Sequence, residues 1–487
     1  MSRRHLKLVT QAHIPRQEKP HRIDARVLYN QAVDAHRTGN MVEALRLYQT
    51  ILKGIAREHP MTIRVTFLTS LCCYQLRIYD EAIMLMELCR AVDFNNPLVH
   101  YNLGIIYDAV NRREDSAEAY RVATLLDPEN KAATNNLGNV LRHLGDLEGA
   151  ERCYQDVIDA QTEDPQARYN RSHIKLVRGD LAGGFADYEY RWKCDGWVAE
   201  YGRSHLNAPT WTKDRAPERV YIWAEQGFGD SIQFSRYVPM VHELGHTVIF
   251  ETEPHLLSLF KQLEQRFDRL TVISRQKTPP DHDSHIPLLS LPAAFGTSID
   301  TVPPVLSLDP PVPCPVPLPN DGQLRVGLVW AGNPNHHNDL IRSAALDALA
   351  PMFSVPLVHW FNLQLAPRAG DFNVDIHARL ASSGHLAQLH EVSGYLRSFA
   401  DTAALIRELD IVVAVDTAVA HLAATLGTET WLMLPHIPEW RWLEQREDSP
   451  WYPAIRLWRQ DGVTGWAGVA ERIAHALTDR LRAEEAA

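Results

Sequence analysis

Between residues 24 and 192 the chain repeats itself every 34 residues, and this period limits the fold more tightly than any other feature of the sequence. Turn positions fall at Gly39, Arg77, Asn111, Gly145 and Gly179; the last four are 34 apart and the first interval is four residues longer. Five residues after each turn stands a small residue: Ala44, Ala82, Ser116, Ala150 and Gly184. Nine residues after it stands a large one: Tyr48, Met86, Tyr120, Tyr154 and Tyr188. Small side chains let two helices approach, and large ones fill the groove between neighbouring pairs. The pattern therefore predicts a helix-turn-helix unit stacked on copies of itself. The triplet Asn-Leu-Gly recurs at 102–104 and 136–138, again one period apart.

This register resembles the tetratricopeptide repeat over roughly five units. The resemblance implies an α-solenoid whose concave face holds a peptide or protein partner. Asn102, Asn136 and Asn170 share one repeat position. They are candidates for clamping a peptide backbone; capping or hydrogen bonding within the repeat is the other reading. Residues 1–22 are basic and lack an apolar core segment, so they read as a mobile arm ahead of a repeat domain over 24–192.

A formal net charge of −11 argues against a nucleic-acid binder, since no broad basic surface is implied that could neutralise phosphates. The six cysteines show no CxxC pairing, which disfavours a disulfide framework or a zinc site and fits a cytoplasmic protein with buried thiols. No apolar run approaches the length of a membrane span.

After Trp211 the periodicity changes. Strand-like segments at 219–225, 246–252 and 270–275 alternate with helical ones at 230–244 and 254–263, an order that implies a parallel sheet covered by helices. Eight prolines within residues 302–319 then form an extended, semi-rigid connector. A second alternation follows, through RVGLVWAG (325–332), PLVHWFNL, DIVVAVD and TWLML. The expected plan is an α-solenoid followed by two Rossmann-like α/β lobes, over 218–301 and 320–480. Such lobes bind ligands beyond the carboxyl ends of their strands.

Three loops fall at those ends. In DTAVAHLAATLG (416–427) a buried strand switches to helical spacing at Asp416-Thr417. Thr417 is placed as the cap of a helix whose free amides suit a phosphate, and His421 lies one turn on, either as a ligand group or as a satisfied core residue. Asp416 can accept from a ribose or sugar hydroxyl, or act as a second cap. In QGFGDS (226–231), Gly227 and Gly229 permit close backbone approach. Asp230 opens the next helix, either as its cap or as a general base aimed at an acceptor hydroxyl. In WAGNPNHHNDLIRS (330–343), Arg342 offers a fixed charge to a diphosphate, with Asn333, His337 and Ser343 as further donors.

Together with WRWLEQREDSPWYP at 440–453, these segments resemble the GT-B glycosyltransferases, especially the heptosyltransferase-like family and bacterial repeat proteins carrying such a domain. The resemblance implies that Asp230 is the catalytic residue and that Asp416, Thr417 and His421 hold a nucleotide-sugar. Ala418 stands where those relatives carry Gly, Leu340 stands where the repeat-bearing group carries a cation, and the lysine many heptosyltransferases place in the 330–343 loop is absent. For the block at 440–453, Trp440, Trp442 and Trp451 can either stack on a ligand or pack in the core. The whole plan resembles O-linked N-acetylglucosamine transferases and repeat-bearing enzymes that modify flagellin. It implies transfer from a nucleotide-sugar to a Ser or Thr of a protein chosen by the repeats. No acidic DxD stands at a strand end, so neither metal nor cofactor is expected. Two other readings stay open: an inert repeat scaffold with a degenerate transferase domain, and a transferase for a polysaccharide or lipid-linked acceptor.

Overall fold

The computed structural model describes residues 24–160, 164–203, 205–276, 278–335, 339–364 and 389–485, without the side chains of Leu340 and Glu485; the basic arm lies outside them. The chain divides into two compact units, Met1–Val157 and Ile158–Ala487. The first contains four helical hairpins: Ala25–Arg37 with Met41–Gly54, Thr62–Gln75 with Tyr79–Val92, Pro97–Ala109 with Arg113–Leu126, and Lys131–His143 with Leu147–Ala160, whose last residues cross the division. A fifth, Pro165–Val177 with Leu181–Tyr188, belongs to the second unit.

The five sequence-read turn residues all adopt left-handed backbone, with φ of 80° at Gly39, 61° at Arg77, 61° at Asn111, 84° at Gly145 and 88° at Gly179. The next residue immediately precedes the second helix of each hairpin. Asn40, Asp146 and Asp180 cap it through their side chains, accepting from the backbone N–H of Glu43, Gly149 and Gly183. Ile78 and Arg112 have no such bond. The two hairpins without glycine at the turn are therefore also the two without a side-chain cap.

Packing follows the same register. Ala44, Ala82, Ser116 and Ala150 are fully buried, as are Tyr48, Met86 and Tyr154. Tyr120 lies flat against Gly104, and Tyr154 against Gly138, so closely that a Cβ on either glycine would stand 2.6 Å from the ring. The three repeated asparagines bond within the solenoid. Asn102 donates to the Leu98 carbonyl at 2.7 Å, Asn136 to the Tyr120 hydroxyl at 3.4 Å, and Asn170 accepts from Gln166 at 3.1 Å.

The second unit holds two all-parallel sheets. The first orders its strands β3-β2-β1-β4, with β1 Arg219–Trp223, β2 Thr247–Thr252, β3 Leu270–Ser274 and β4 Ser284–Pro287. The second orders them β10-β9-β8-β5-β6-β7, with β5 Leu324–Val329, β6 Val358–Asn362, β7 Leu389–Glu391, β8 Ile411–Val415, β9 Glu429–Leu434 and β10 Ile455–Arg459. Each strand order reverses direction once, between β1 and β4 in the first sheet and between β5 and β8 in the second. These are the switch points at which doubly wound sheets open a crevice. β5 and β8 are buried on both faces, and Val326, Leu328, Val413 and Val415 pack with Val469, Ile473 and Leu477 of the closing helix Gly465–Glu485.

The proline-rich connector has no regular structure over residues 302–319. It is held by side chains of the first lobe: Arg236 donates to the Pro303 carbonyl at 3.1 Å and Gln262 to the Asp309 carbonyl at 2.8 Å. All six cysteines are free thiols; Cys72, Cys73, Cys89 and Cys194 are buried, Cys153 and Cys314 half-buried. Among the described residues no helix is long and apolar enough to cross a membrane.

Candidate functional site

At the carboxyl end of β1 the chain turns through Glu225, Gln226 and Gly227 into the helix Phe228–Phe234. Gly227 is its N-cap, and the Gly227 N–H donates to Asp230 Oδ2 at 2.9 Å. Asp230 is thus a helix-capping carboxylate, which is one of its two sequence readings, and its other oxygen is also engaged. Oδ1 receives a hydrogen bond from Arg441, a residue 211 positions away. The Arg441 guanidinium also donates to Gln233 Oε1 at 2.8 Å and to Glu439 Oε1 at 2.5 Å, and lies 4.2 Å above the Trp440 ring. One buried cation therefore ties the first lobe's loop to the segment that follows β9.

In the second lobe, β8 ends at Asp416-Thr417 and the helix Ala418–Leu426 begins. Thr417 occupies the N-cap position, but its hydroxyl donates back to the Val415 carbonyl at 3.1 Å, and no side chain caps this helix. The expected Thr417 side-chain cap is corrected accordingly: in extended backbone the hydroxyl reaches the strand's last carbonyl instead of the helix amides. His421 is buried, with Nδ1 2.9 Å from the Tyr452 hydroxyl and Nε2 3.7 Å from Asp416 Oδ1. Burial opposes ionisation of Asp416, but His421 beside it, aided by Trp442 and Arg441, holds its carboxyl at about 2. Burial, against the pull of Arg441 and with the push of Asp416, raises Glu439 to about 7.

The loop after β5 reaches the same point. Arg342 donates to the Asp416 carbonyl at 3.2 Å and lies against Gly332, where any Cβ would collide with the guanidinium. Its Nε is buried without a hydrogen-bond partner. Gly229 brings the two lobes together: a Cβ there would stand 2.9 Å from His421 Cδ2, and beside it Phe228 meets Phe399 edge-on at 5.2 Å.

The structure thus assembles Gly227, Gly229, Asp230, Arg342, Asp416, Thr417 and His421 around facing carboxyl ends of β1 and β8. Asn333 and Ser343 serve their own loop. Asn333 Oδ1 accepts from the Asn335 N–H at 3.0 Å, and Ser343 accepts from the Gly332 N–H and donates to Asp339. His337 lies outside the described residues. Arg441, Glu439 and Tyr452 are the members that sequence reasoning did not select. The only signal was the dense block at 440–453, whose three tryptophans are core residues, at most 4% exposed, rather than open stacking platforms.

A family model for the tetratricopeptide repeat matches residues 101–165. Over most of its length the chain is similar to Protein FlbA of Caulobacter vibrioides, with 22% identity over 508 residues, 92% of this chain and 83% of that protein. Among solved structures, a tetratricopeptide repeat protein from Parabacteroides merdae matches 37% of this chain and 68% of its own at 15% identity and a TM-score of 0.33. MamA from Desulfovibrio magneticus matches 35% of this chain and 92% of its own at 16% identity and a TM-score of 0.31. The N-terminal helical array consists of tetratricopeptide repeats.

Proposed function

We propose that the second unit is a GT-B glycosyltransferase that moves a sugar from a nucleotide-sugar to a Ser or Thr of a protein recruited by the repeats, flagellin being one such acceptor. The observation that carries this reading is the meeting of the two switch points: Asp230 after β1, and the Thr417 helix with Arg342 after β8 and β5, converge across Gly229 and His421. Doubly wound sheets bind nucleotides beyond the carboxyl ends of their strands at such switch points. The uncapped helix end, with the Arg342 guanidinium bonded to the Asp416 carbonyl beside it, would give a leaving diphosphate positive charge without calling on a metal ion. Arg441, paired with Asp230 and Glu439, is a further buried cation on the first lobe's side of the site. Asp230 is the proposed base, delivered to an acceptor hydroxyl when its bond to Arg441 opens.

A panel of UDP-, GDP-, ADP-, dTDP- and CMP-linked sugars tests the reading. At 100 times its dissociation constant a true donor stabilises the protein by roughly 2.7 kcal/mol. It should be hydrolysed or transferred by the wild type and not by Asp230→Ala. A panel without a thermal shift and without turnover defeats the proposal. It would favour an inert scaffold, a reading supported by the engagement of both Asp230 oxygens, one by the Gly227 cap and one by Arg441.

A further inference from the structure

The fifth hairpin does more than extend the repeat array. Its closing turn carries Arg191, which is fully buried and grips Glu225 with two bonds, Nη2 to Oε1 at 3.0 Å and Nε to Oε2 at 3.2 Å. The same guanidinium donates to Ser290 Oγ at 2.8 Å, and Glu225 Oε1 also accepts the Leu289 N–H at 3.1 Å. Glu225 is therefore fixed between the hairpin and the end of β4. One residue further on, Gln226 donates to the Tyr188 hydroxyl at 2.7 Å. The next residue is Gly227, and the turn then delivers Asp230. Beside these contacts, Phe185 of the hairpin meets Phe234, Trp440 and Trp451 edge-on at 6.3, 5.7 and 6.2 Å. Phe234 ends the Asp230 helix and Trp440 lies under Arg441, so the hairpin packs against a neighbour of each partner of the Asp230–Arg441 bond.

We propose that Tyr188 and Arg191 are positioning residues that set the Gln226–Asp230 loop, making the fifth repeat part of the transfer site rather than of the recognition module. The inference rests on the transferase reading for its kinetic consequence but not for its structural one. A repeat contributed only for partner recognition has no need of a buried guanidinium in the α/β lobe. This one uses its repeat-position tyrosine, the residue nine after the Gly179 turn, to hold the loop instead of a neighbouring repeat.

Tyr188→Phe removes one hydroxyl and leaves the ring packing, and Arg191→Lys keeps the charge but loses the two-pronged grip. Hydrogen exchange on the full chain should show amides 226–231 exchanging about tenfold faster in each variant, with the strand amides of β1 and β8 unchanged. With whichever of the UDP-, GDP-, ADP-, dTDP- or CMP-sugars is turned over, kcat should fall on the order of tenfold while donor affinity stays within about twofold. Wild-type exchange at 226–231 in the folded Tyr188→Phe protein overturns the positioning role, whatever the activity. A wild type that turns over no sugar-nucleotide overturns the transferase reading alone, because the exchange result still decides what the hairpin does.

Discussion

Replacing Asp416 by Asn isolates the electrostatics of the second-lobe site. In the unfolded chain this carboxyl ionises near 3.8; in the folded protein His421 and its neighbours hold it at about 2. Because the folded value is the lower one, the stabilisation is complete above about pH 4 and disappears as pH falls through about 2. A difference of roughly two units, at about 1.4 kcal/mol each, makes the contribution about 2–3 kcal/mol at neutral pH. Asp416→Asn should therefore be less stable by about that amount at pH 7, with the deficit shrinking toward zero near pH 2. The chain offers a convenient probe: all twelve tryptophans lie between Trp192 and Trp466, so tryptophan fluorescence reports urea unfolding of the second unit alone. Equal stability of the two proteins at pH 7, or a deficit of the same size at pH 2.5 and pH 7, would refute the His421–Asp416 coupling.

Two further outcomes concern the solenoid. Gly104→Ala and Gly138→Ala each push a Cβ to 2.6 Å from a buried tyrosine ring and should each destabilise by about 1–3 kcal/mol in a helical circular-dichroism melt; an unaffected melt would mean that the ring swings aside freely. Arg77→Gly gives the second hairpin the left-handed glycine that Gly145 and Gly179 already provide, and should stabilise it by roughly 1 kcal/mol. No gain in the same melt would show that the strained turn is already relaxed.

The solenoid was legible because each repeat uses contacts a few tens of residues apart, so turn, small and large positions recur in one line of sequence. The left-handed φ at all five turn residues, two of them not glycine, bears this out. The strands of the two sheets were legible where they are apolar on both faces, as in β5 and β8. The short β4, with its proline at the end, polar β7 at a sheet edge and alternating β10 carry no such signal. The loops at strand ends were found from glycines and helix starts, but their partners were not. Arg441 and Asp230 are 211 positions apart, and Tyr452 and His421 come from different segments of the second lobe. Nothing local distinguishes a guanidinium between two tryptophans that pairs across lobes from one at the surface. Thr417 shows the complementary failure: a hydroxyl at a helix start has a choice of carbonyl or amide, and only the backbone angles decide it.

The placement of the division at Val157, one repeat before the array ends, bears on how such a chain can change over evolution or in an engineer's hands. Repeat number drifts easily by unequal crossing-over, because any whole period can be duplicated or lost in frame. The four hairpins of the first unit lie outside the unit that holds Asp230 and Arg441, so they can be exchanged without removing a residue of that site. The fifth is different, since a graft at residue 193 would discard the guanidinium that Glu225 requires. Chimeras joined near residue 158 should express as soluble protein where those joined after the last period do not.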